Sequence, residues 1–174
     1  MTLLRRFLVM MALLFWQGGF LFYASVVVPV AQQELDSHLR QGFVTRRVTN
    51  FLNLSGAIAL GIVALELAAA DRKRWRRWAR AVLWLGMAAA LAALVWLHIH
   101  LDSMLDPDQR RILDRSEFYT SHRLYLWVST IQWALGVVFL WLTLAAWRAV
   151  DRSSATINGK DGRNGIGKGA AEGA

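Results

Sequence analysis

The chain has 174 residues, of which 56% are hydrophobic and 18% are charged, and its formal net charge is +8. Soluble domains are ~25% charged and ~45–50% apolar, so the composition excludes an ordinary soluble domain and a disordered chain. The sequence contains no cysteine, which excludes disulfide, iron–sulfur and thiolate–metal chemistry.

The apolar residues fall in four blocks, at about 7–30, 48–70, 81–101 and 124–147. Each block has about the ~20 residues that a helix needs to cross the hydrocarbon core of a bilayer. Lipid offers the backbone no water to bond, so these blocks predict four transmembrane helices. The links between them are short, and we therefore predict an all-α, antiparallel four-helix membrane bundle over residues 1–150.

The first block follows Arg5 and Arg6, a basic start that is also typical of signal peptides. Its apolar stretch is longer than the ~7–15 residues of such peptides, and no small-residue cleavage pattern follows it, so we interpret it as a retained helix. Gln17 lies in the middle of this block and needs a polar partner. Gln132 and Ser129 in the fourth block stand at a matching depth.

The link between the first two blocks, residues 31–47, has apolar side chains at Leu35, Leu39 and Phe43. This spacing is typical of a short helix that lies in the membrane interface. Glycine is a common helix terminator, and we therefore expect this short helix to be broken near Gly42, before the second transmembrane helix begins.

Glu66 is the one ionisable residue of the second block, about one turn before its end and seven residues before Lys73. We interpret it as a carboxylate that pairs with the basic link after the block. The alternative is a proton-relay carboxylate, since ionisable groups inside a membrane are candidates for function. A relay would need further partners along the membrane.

The link between the second and third blocks is strongly basic. Its six basic residues are Arg72, Lys73, Arg74, Arg76, Arg77 and Arg80. The positive-inside rule places such a link, and with it both chain termini, in the cytoplasm. We thus expect a multi-pass protein of a bacterial inner membrane, with anionic lipid headgroups attracted to the link. Membrane topology explains the excess of basic residues, so no nucleic-acid partner is expected.

Most other polar residues of the blocks collect at the opposite, outer end. This outer cluster comprises Tyr23, Asn50, Asn53, His98, His100, Asp102, His122, Tyr125 and Ser129. Its fourth-block members and Gln132 are spaced by three or four residues and therefore share one helix face. Polar groups are costly in lipid, which makes this cluster the expected working surface.

His98 and His122 are candidate ligands of a metal ion or a haem. Asp102, four residues after His98, would be a third ligand or the acceptor that orients the His98 ring. Imidazole suits zinc, copper or haem iron without any thiol. The alternative is that these residues hydrogen-bond between helices or to lipid headgroups and bind no cofactor.

In the second outer link, Asp106 is followed by Pro107. Aspartate as the N-cap and proline in the first helical position predict a short helix over 107–115. After the fourth block the composition changes: residues 153–174 hold six of the thirteen glycines and no aromatic residue. Such a segment cannot bury a core, so 151–174 is predicted to be a disordered cytoplasmic tail.

Three stretches carry a resemblance to known proteins: FYASVVVP at 22–29, GFVTRRVTNFLN at 42–53 and FYTSHRLYLWVST at 118–130. On these stretches the chain resembles a family of bacterial four-helix membrane proteins, over about residues 7–147. This resemblance implies a fold and no activity. The histidine of the fourth helix and the asparagines of the second are similar to those of proteins grouped with copper-resistance membrane proteins, which implies copper among the metals.

No nucleophile–base pair, phosphate-binding loop or paired-carboxylate site is recognisable in the sequence. We therefore expect a non-enzymatic accessory or interaction subunit, whose partners are other membrane subunits or a second copy of the chain. One alternative is a metal- or haem-binding protein, in redox or copper handling, that uses His98 and His122. A further alternative is a small transporter, which would have to oligomerise because four helices enclose little pore.

Overall fold

The structure, a computed structural model, describes residues 2–35, 38–69, 74–106, 111–112 and 115–171. Its helices are α1 (Thr2–Phe22), α2 (Val28–Glu34), α3 (His38–Ala69), α4 (Arg74–Ser103) and α5 (Arg115–Ala171), with a π-helical turn (Tyr23–Val27) between α1 and α2. Two short strands, β1 (Leu105–Asp106) and β2 (Arg111–Ile112), lie between α4 and α5.

Four segments are long and apolar enough to cross a membrane. They are Leu3–Glu34, Thr45–Ala68, Trp75–Ser103 and Ser116–Arg152. The predicted helical architecture with four long apolar helices is therefore confirmed. Each long helix begins before its predicted block, because hydropathy marks the apolar part of a helix and not the polar turns at its ends.

The helices pack side by side as a bundle, in the order α1, α3, α4, α5. Contact is most extensive between α4 and α5, and α1 contacts α3 much more than it contacts α5. The core lies between them and consists of Val9, Leu13, Trp16, Ala59, Leu60, Val63, Met87, Leu91, Phe139 and Trp147. Many large apolar side chains on the outside are exposed, as lipid-facing residues of a membrane bundle would be.

The π-helical turn separates α1 from α2. The N–H of Val28 bonds the carbonyl of Tyr23, five residues back. Pro29 follows directly; its ring lacks an N–H and would clash with the carbonyl of Ser25 in a regular α-helix. The wider turn accommodates this proline, and the helix continues to Glu34 instead of ending.

The first link differs from the prediction. Helix α2 takes in residues 31–34 and the chain is extended at Leu35, so the short helix predicted around Leu35 is wrong there. Helix α3 begins at His38 and runs through Gly42 without a break into the second predicted span. A glycine inside a helix costs only about 1 kcal/mol relative to alanine, which is too little to end a helix of this length.

The second link also differs. The strands pair antiparallel, Leu105 opposite Ile112 and Asp106 opposite Arg111, so the helix predicted over 107–115 is wrong at 111–112. Its remaining positions before Arg115 lie outside the described residues. Aspartate before proline is also typical of turns, so the pair does not specify a helix.

The tail is the third difference. Helix α5 continues from the fourth span to Ala171, where low apolar content predicted disorder over 151–174. The segment contains no proline, and extending a helix that already exists avoids the unfavourable nucleation step. Residues 172–174 lie outside the described part of the chain.

Candidate functional site

Polar side chains gather at both ends of the bundle. The basic end is the one where α1 begins, α3 ends and α4 begins; it holds Arg5, Glu66 and Arg80. The hairpin end is the one where α2 meets α3 and the strand pair joins α4 to α5; it holds Tyr23, Arg46 and Asp102.

At the basic end, the carboxylate of Glu66 is fully buried, with 0% of the side chain exposed. Its Oε2 lies 2.6 Å from Nε of Arg5, and its Oε1 accepts a hydrogen bond of 2.9 Å from the indole N–H of Trp147. Three helices therefore meet at this carboxylate. The predicted pairing with Lys73 is replaced by Arg5, because antiparallel packing brings the first turns of α1 beside the last turns of α3; Lys73 itself lies outside the described residues.

Arg6, the neighbour of Arg5, makes a separate set of contacts. Its two terminal nitrogens each donate a hydrogen bond of 2.9 Å to one oxygen of Asp151. Its guanidinium also lies 5.3 Å from the centre of the Trp147 ring. This bidentate pair joins α1 to α5, two helices that otherwise have little contact.

Arg80 differs from the rest of the basic link. Its side chain is 1% exposed and its guanidinium lies 5.5 Å from the centre of the Phe139 ring. Arg77 is exposed and Arg76 is half-buried, as expected for the link, and Arg74 begins α4. Position 80 lies within α4, on the side of the helix that packs against Phe139 of α5, so its side chain is in the core. Arg72 and Lys73 lie outside the described residues.

At the hairpin end, Arg46, Asp102 and His98 form what we call the ion-pair group. Nε of Arg46 lies 2.8 Å from Oδ2 of Asp102, which joins α3 to α4. Nε2 of His98, one turn earlier on α4, lies 3.7 Å from the same oxygen. That separation is beyond hydrogen-bond distance, and Nε2 has no hydrogen-bond partner among the described residues.

A second set of polar residues at the hairpin end joins α1, α3 and α5. Tyr23, the first residue of the π-helical turn, interacts with the side chains of Thr45 and Thr49. Tyr125 interacts with Asn53, Ser129 and Tyr23. The structure thus brings together four members of the predicted outer cluster. The two threonines were missed, although 45, 49 and 53 are four residues apart and share one face of α3.

The other predicted members lie apart from this set. His100 stacks on Trp96, with ring centres 5.6 Å apart, and its Nε2 lies 3.3 Å from a carboxylate oxygen of Glu117. His122 stacks on Phe118, with ring centres 6.2 Å apart. Asn50 is exposed. Both aromatic stacks join residues one turn apart on the same helix, so they add local rather than tertiary order.

The part of the chain that the structure describes contains no group of three His, Asp or Glu residues that could hold a metal ion. The predicted trio of His98, Asp102 and His122 is therefore not gathered into a metal site. Asp102 is bound by Arg46 instead, and His122 stacks on its own helix.

Between the two ends, the predicted partner of Gln17 is also replaced. Gln132 is buried and donates to the carbonyl of Met87, 3.3 Å away on α4. Ser129 bonds the carbonyl of Tyr125 in its own helix. Gln17 lies instead against Gly136, where a Cβ would come within 3.0 Å of its carboxamide oxygen. The partner helix, α5, was predicted correctly, but Gly136 was not, because a glycine has no polar side chain that would mark it as a partner.

No protein family, curated protein or solved structure matches the chain. The resemblance to bacterial four-helix membrane proteins therefore stays a prediction. What can be inferred about function comes from the two polar ends and the apolar surface between them.

Proposed function

We propose that the chain is a multi-pass protein of a bacterial inner membrane and acts as a non-enzymatic interaction subunit through its hairpin end. The basic link lies at the basic end, and the positive-inside rule favours the cytoplasm for that end and for both termini. The hairpin end then faces outward, where a second membrane subunit or another copy of the chain would bind. Anionic lipid headgroups would surround the basic link.

The observation that carries this proposal is the partial exposure of the ion-pair group. The side chains of Arg46 and Asp102 are 41% and 20% exposed, whereas His98 beside them is buried. Ion pairs at exposed sites contribute only about 0–1 kcal/mol to stability, so this one is not needed to hold the fold. Charges in such a position are suited to orienting a partner that carries complementary charge.

Orientation is tested first, with two single-cysteine variants. The native chain has no cysteine, so an introduced one reports alone. Ser103→Cys and Arg77→Cys place exposed cysteines at opposite ends of α4. In spheroplasts, a membrane-impermeant maleimide is expected to label the first variant at once and the second only after lysis. The reverse order would contradict the proposed topology.

Partner binding is tested at Asn50, which is exposed and one turn from Arg46 on α3. Asn50→Cys is cross-linked in spheroplasts, and the adducts are identified by mass spectrometry. We expect a defined adduct that is lost when Asp102→Asn is added, since that change removes the charge that holds Arg46. An adduct unaffected by Asp102→Asn, or also formed by Arg77→Cys, contradicts a role for the hairpin end.

A further inference from the structure

We propose that Arg5, held by Glu66, binds the phosphate group of a membrane phospholipid at the basic end. The inference rests on the membrane location in the proposed function and is independent of any partner at the hairpin end. Phospholipids of either leaflet carry the same phosphodiester, so it does not depend on which way the bundle is oriented.

The Arg5 side chain is ion-paired with a buried carboxylate and is itself partly exposed. Its Nε is buried and lies 2.6 Å from the Glu66 carboxylate, whereas the side chain as a whole is 38% exposed. The exposure therefore belongs to other atoms of the side chain, and Nε makes the ion pair without a hydrogen bond to a described residue. A planar guanidinium held in this way presents a donor pair that matches two phosphate oxygens.

Glu66 does not oppose such a ligand. One oxygen accepts a hydrogen bond from the indole of Trp147, the other is ion-paired with Arg5 without a hydrogen bond, and the side chain is inaccessible. The carboxylate thus fixes the arginine from inside while the phosphate would approach from outside. A fixed donor loses less conformational entropy on binding than a free surface arginine would.

Arg5 also lies at the depth of lipid phosphates. The first span, Leu3–Glu34, has 32 residues. At 1.5 Å per residue a helix of this length measures roughly 48 Å, which exceeds a hydrocarbon core of ~30 Å and places its first turns among the headgroups. Trp75 and Trp78 at the start of α4 are both exposed, and interfacial tryptophans mark the same level at this end.

Arg6 provides a matched control inside the same turn. It carries the same charge at nearly the same depth, but both of its terminal nitrogens are bonded to Asp151. If binding reflected only the positive potential of this end, removal of either arginine would weaken it equally. If a fixed donor pair binds the phosphate, Arg5 should matter far more than Arg6.

The test is native mass spectrometry of the full chain in detergent, titrated with phosphatidylglycerol. Arg5→Gln is expected to weaken binding about tenfold or more, and Arg6→Gln by less than about threefold. Arg5→Lys keeps the positive charge but loses the paired donors of the guanidinium, so it should also weaken binding several-fold. If Arg5→Gln unfolds, Arg5→Lys serves as the folded variant. Circular dichroism verifies the helical content of each protein.

Two further ligands separate the sources of affinity. Diacylglycerol, which lacks the phosphate, should bind more weakly than phosphatidylglycerol and equally to all variants. Millimolar inorganic phosphate should compete only poorly. Equal losses in Arg5→Gln and Arg6→Gln, diacylglycerol binding as strong as phosphatidylglycerol binding, or full displacement by inorganic phosphate would each overturn the proposal. Asp102→Asn, which disables the hairpin end, should leave lipid binding unchanged and so keeps the two proposals separable.

Discussion

The two ends of the bundle use charge in different ways. At the basic end, Glu66 is inaccessible and each of its oxygens has a partner on another helix. At the hairpin end, the ion pair between Arg46 and Asp102 is partly exposed on both of its side chains. A buried carboxylate must be fully paired or the fold loses stability, whereas a half-exposed pair can exchange partners. The basic end therefore contributes more to holding the helices together, and the ion pair of the hairpin end is the more accessible of the two for a protein partner.

The largest expected effect is at the basic end. Glu66→Ala leaves Arg5 and the indole N–H of Trp147 without their shared acceptor and should lower the free energy of unfolding by about 3–5 kcal/mol. Asp151→Ala, at the same end but 61% exposed, should lower the free energy of unfolding far less than Glu66→Ala does. Equilibrium unfolding in mixed detergent micelles measures both. A smaller loss for Glu66→Ala than for Asp151→Ala would reverse the ranking given to the two pairs.

The next effect concerns the packing that connects the two ends. A Cβ at Gly56 would lie 2.7 Å from the ring of Trp16, whereas Gly61 has nothing within 4 Å. Gly56→Ala should destabilise the bundle by about 1–3 kcal/mol through overpacking. Gly61→Ala on the same helix should be neutral or stabilising by about 0.5–1 kcal/mol. The same unfolding measurement distinguishes them, and equal effects would mean that α1 and α3 are not in close contact at Gly56.

A smaller effect is expected for the ion pair of the hairpin end. A double-mutant cycle with Arg46→Gln and Asp102→Asn should give a coupling energy of about 0.2–1 kcal/mol. The corresponding cycle with Arg5→Gln and Glu66→Gln should give a larger value, since that pair is buried on the carboxylate side. Similar coupling energies at the two ends would remove the distinction between a structural and an exchangeable pair.

The smallest effect is expected at His122, which stacks only on Phe118 of its own helix in the described structure. His122→Ala should change the free energy of unfolding by no more than about 0.5 kcal/mol. The purified wild-type protein is examined in parallel by absorption spectroscopy and total metal analysis. Stoichiometric haem or copper that His122→Ala removes would restore the histidine-ligand hypothesis in place of the interaction surface.

Much of the fold could be predicted because hydropathy locates the apolar part of each long helix. The four apolar blocks located the four long helices, and the same coordinate placed Tyr23, Asn53 and Tyr125 at one level. Helix ends were less accessible, since a glycine such as Gly42 or an aspartate–proline pair permits more than one local structure.

The partners of individual polar groups could not be predicted, because they depend on helix order and rotation. Glu66 was predicted to pair with the basic link that follows it in sequence, yet its partner Arg5 lies on the neighbouring antiparallel helix α1. Gln17 was assigned a polar partner, yet it fills the notch left by Gly136. The position of a residue along a helix can be estimated from that helix alone. A contact between two helices depends on how both are ordered and rotated, and the weakly polar helix faces of this sequence do not specify that.

The π-helical turn at Tyr23–Val27 acts as a one-residue insertion that the bundle absorbs without a loop. Each residue of an α-helix advances the side-chain direction by about 100°, so one residue taken up by the wider turn offsets the phase of α2 relative to α1. The segment before the turn and the segment after it can therefore meet α3 on different faces of what is, in sequence, one continuous apolar stretch. A uniform helical wheel drawn through that stretch would mispair every position beyond Val27.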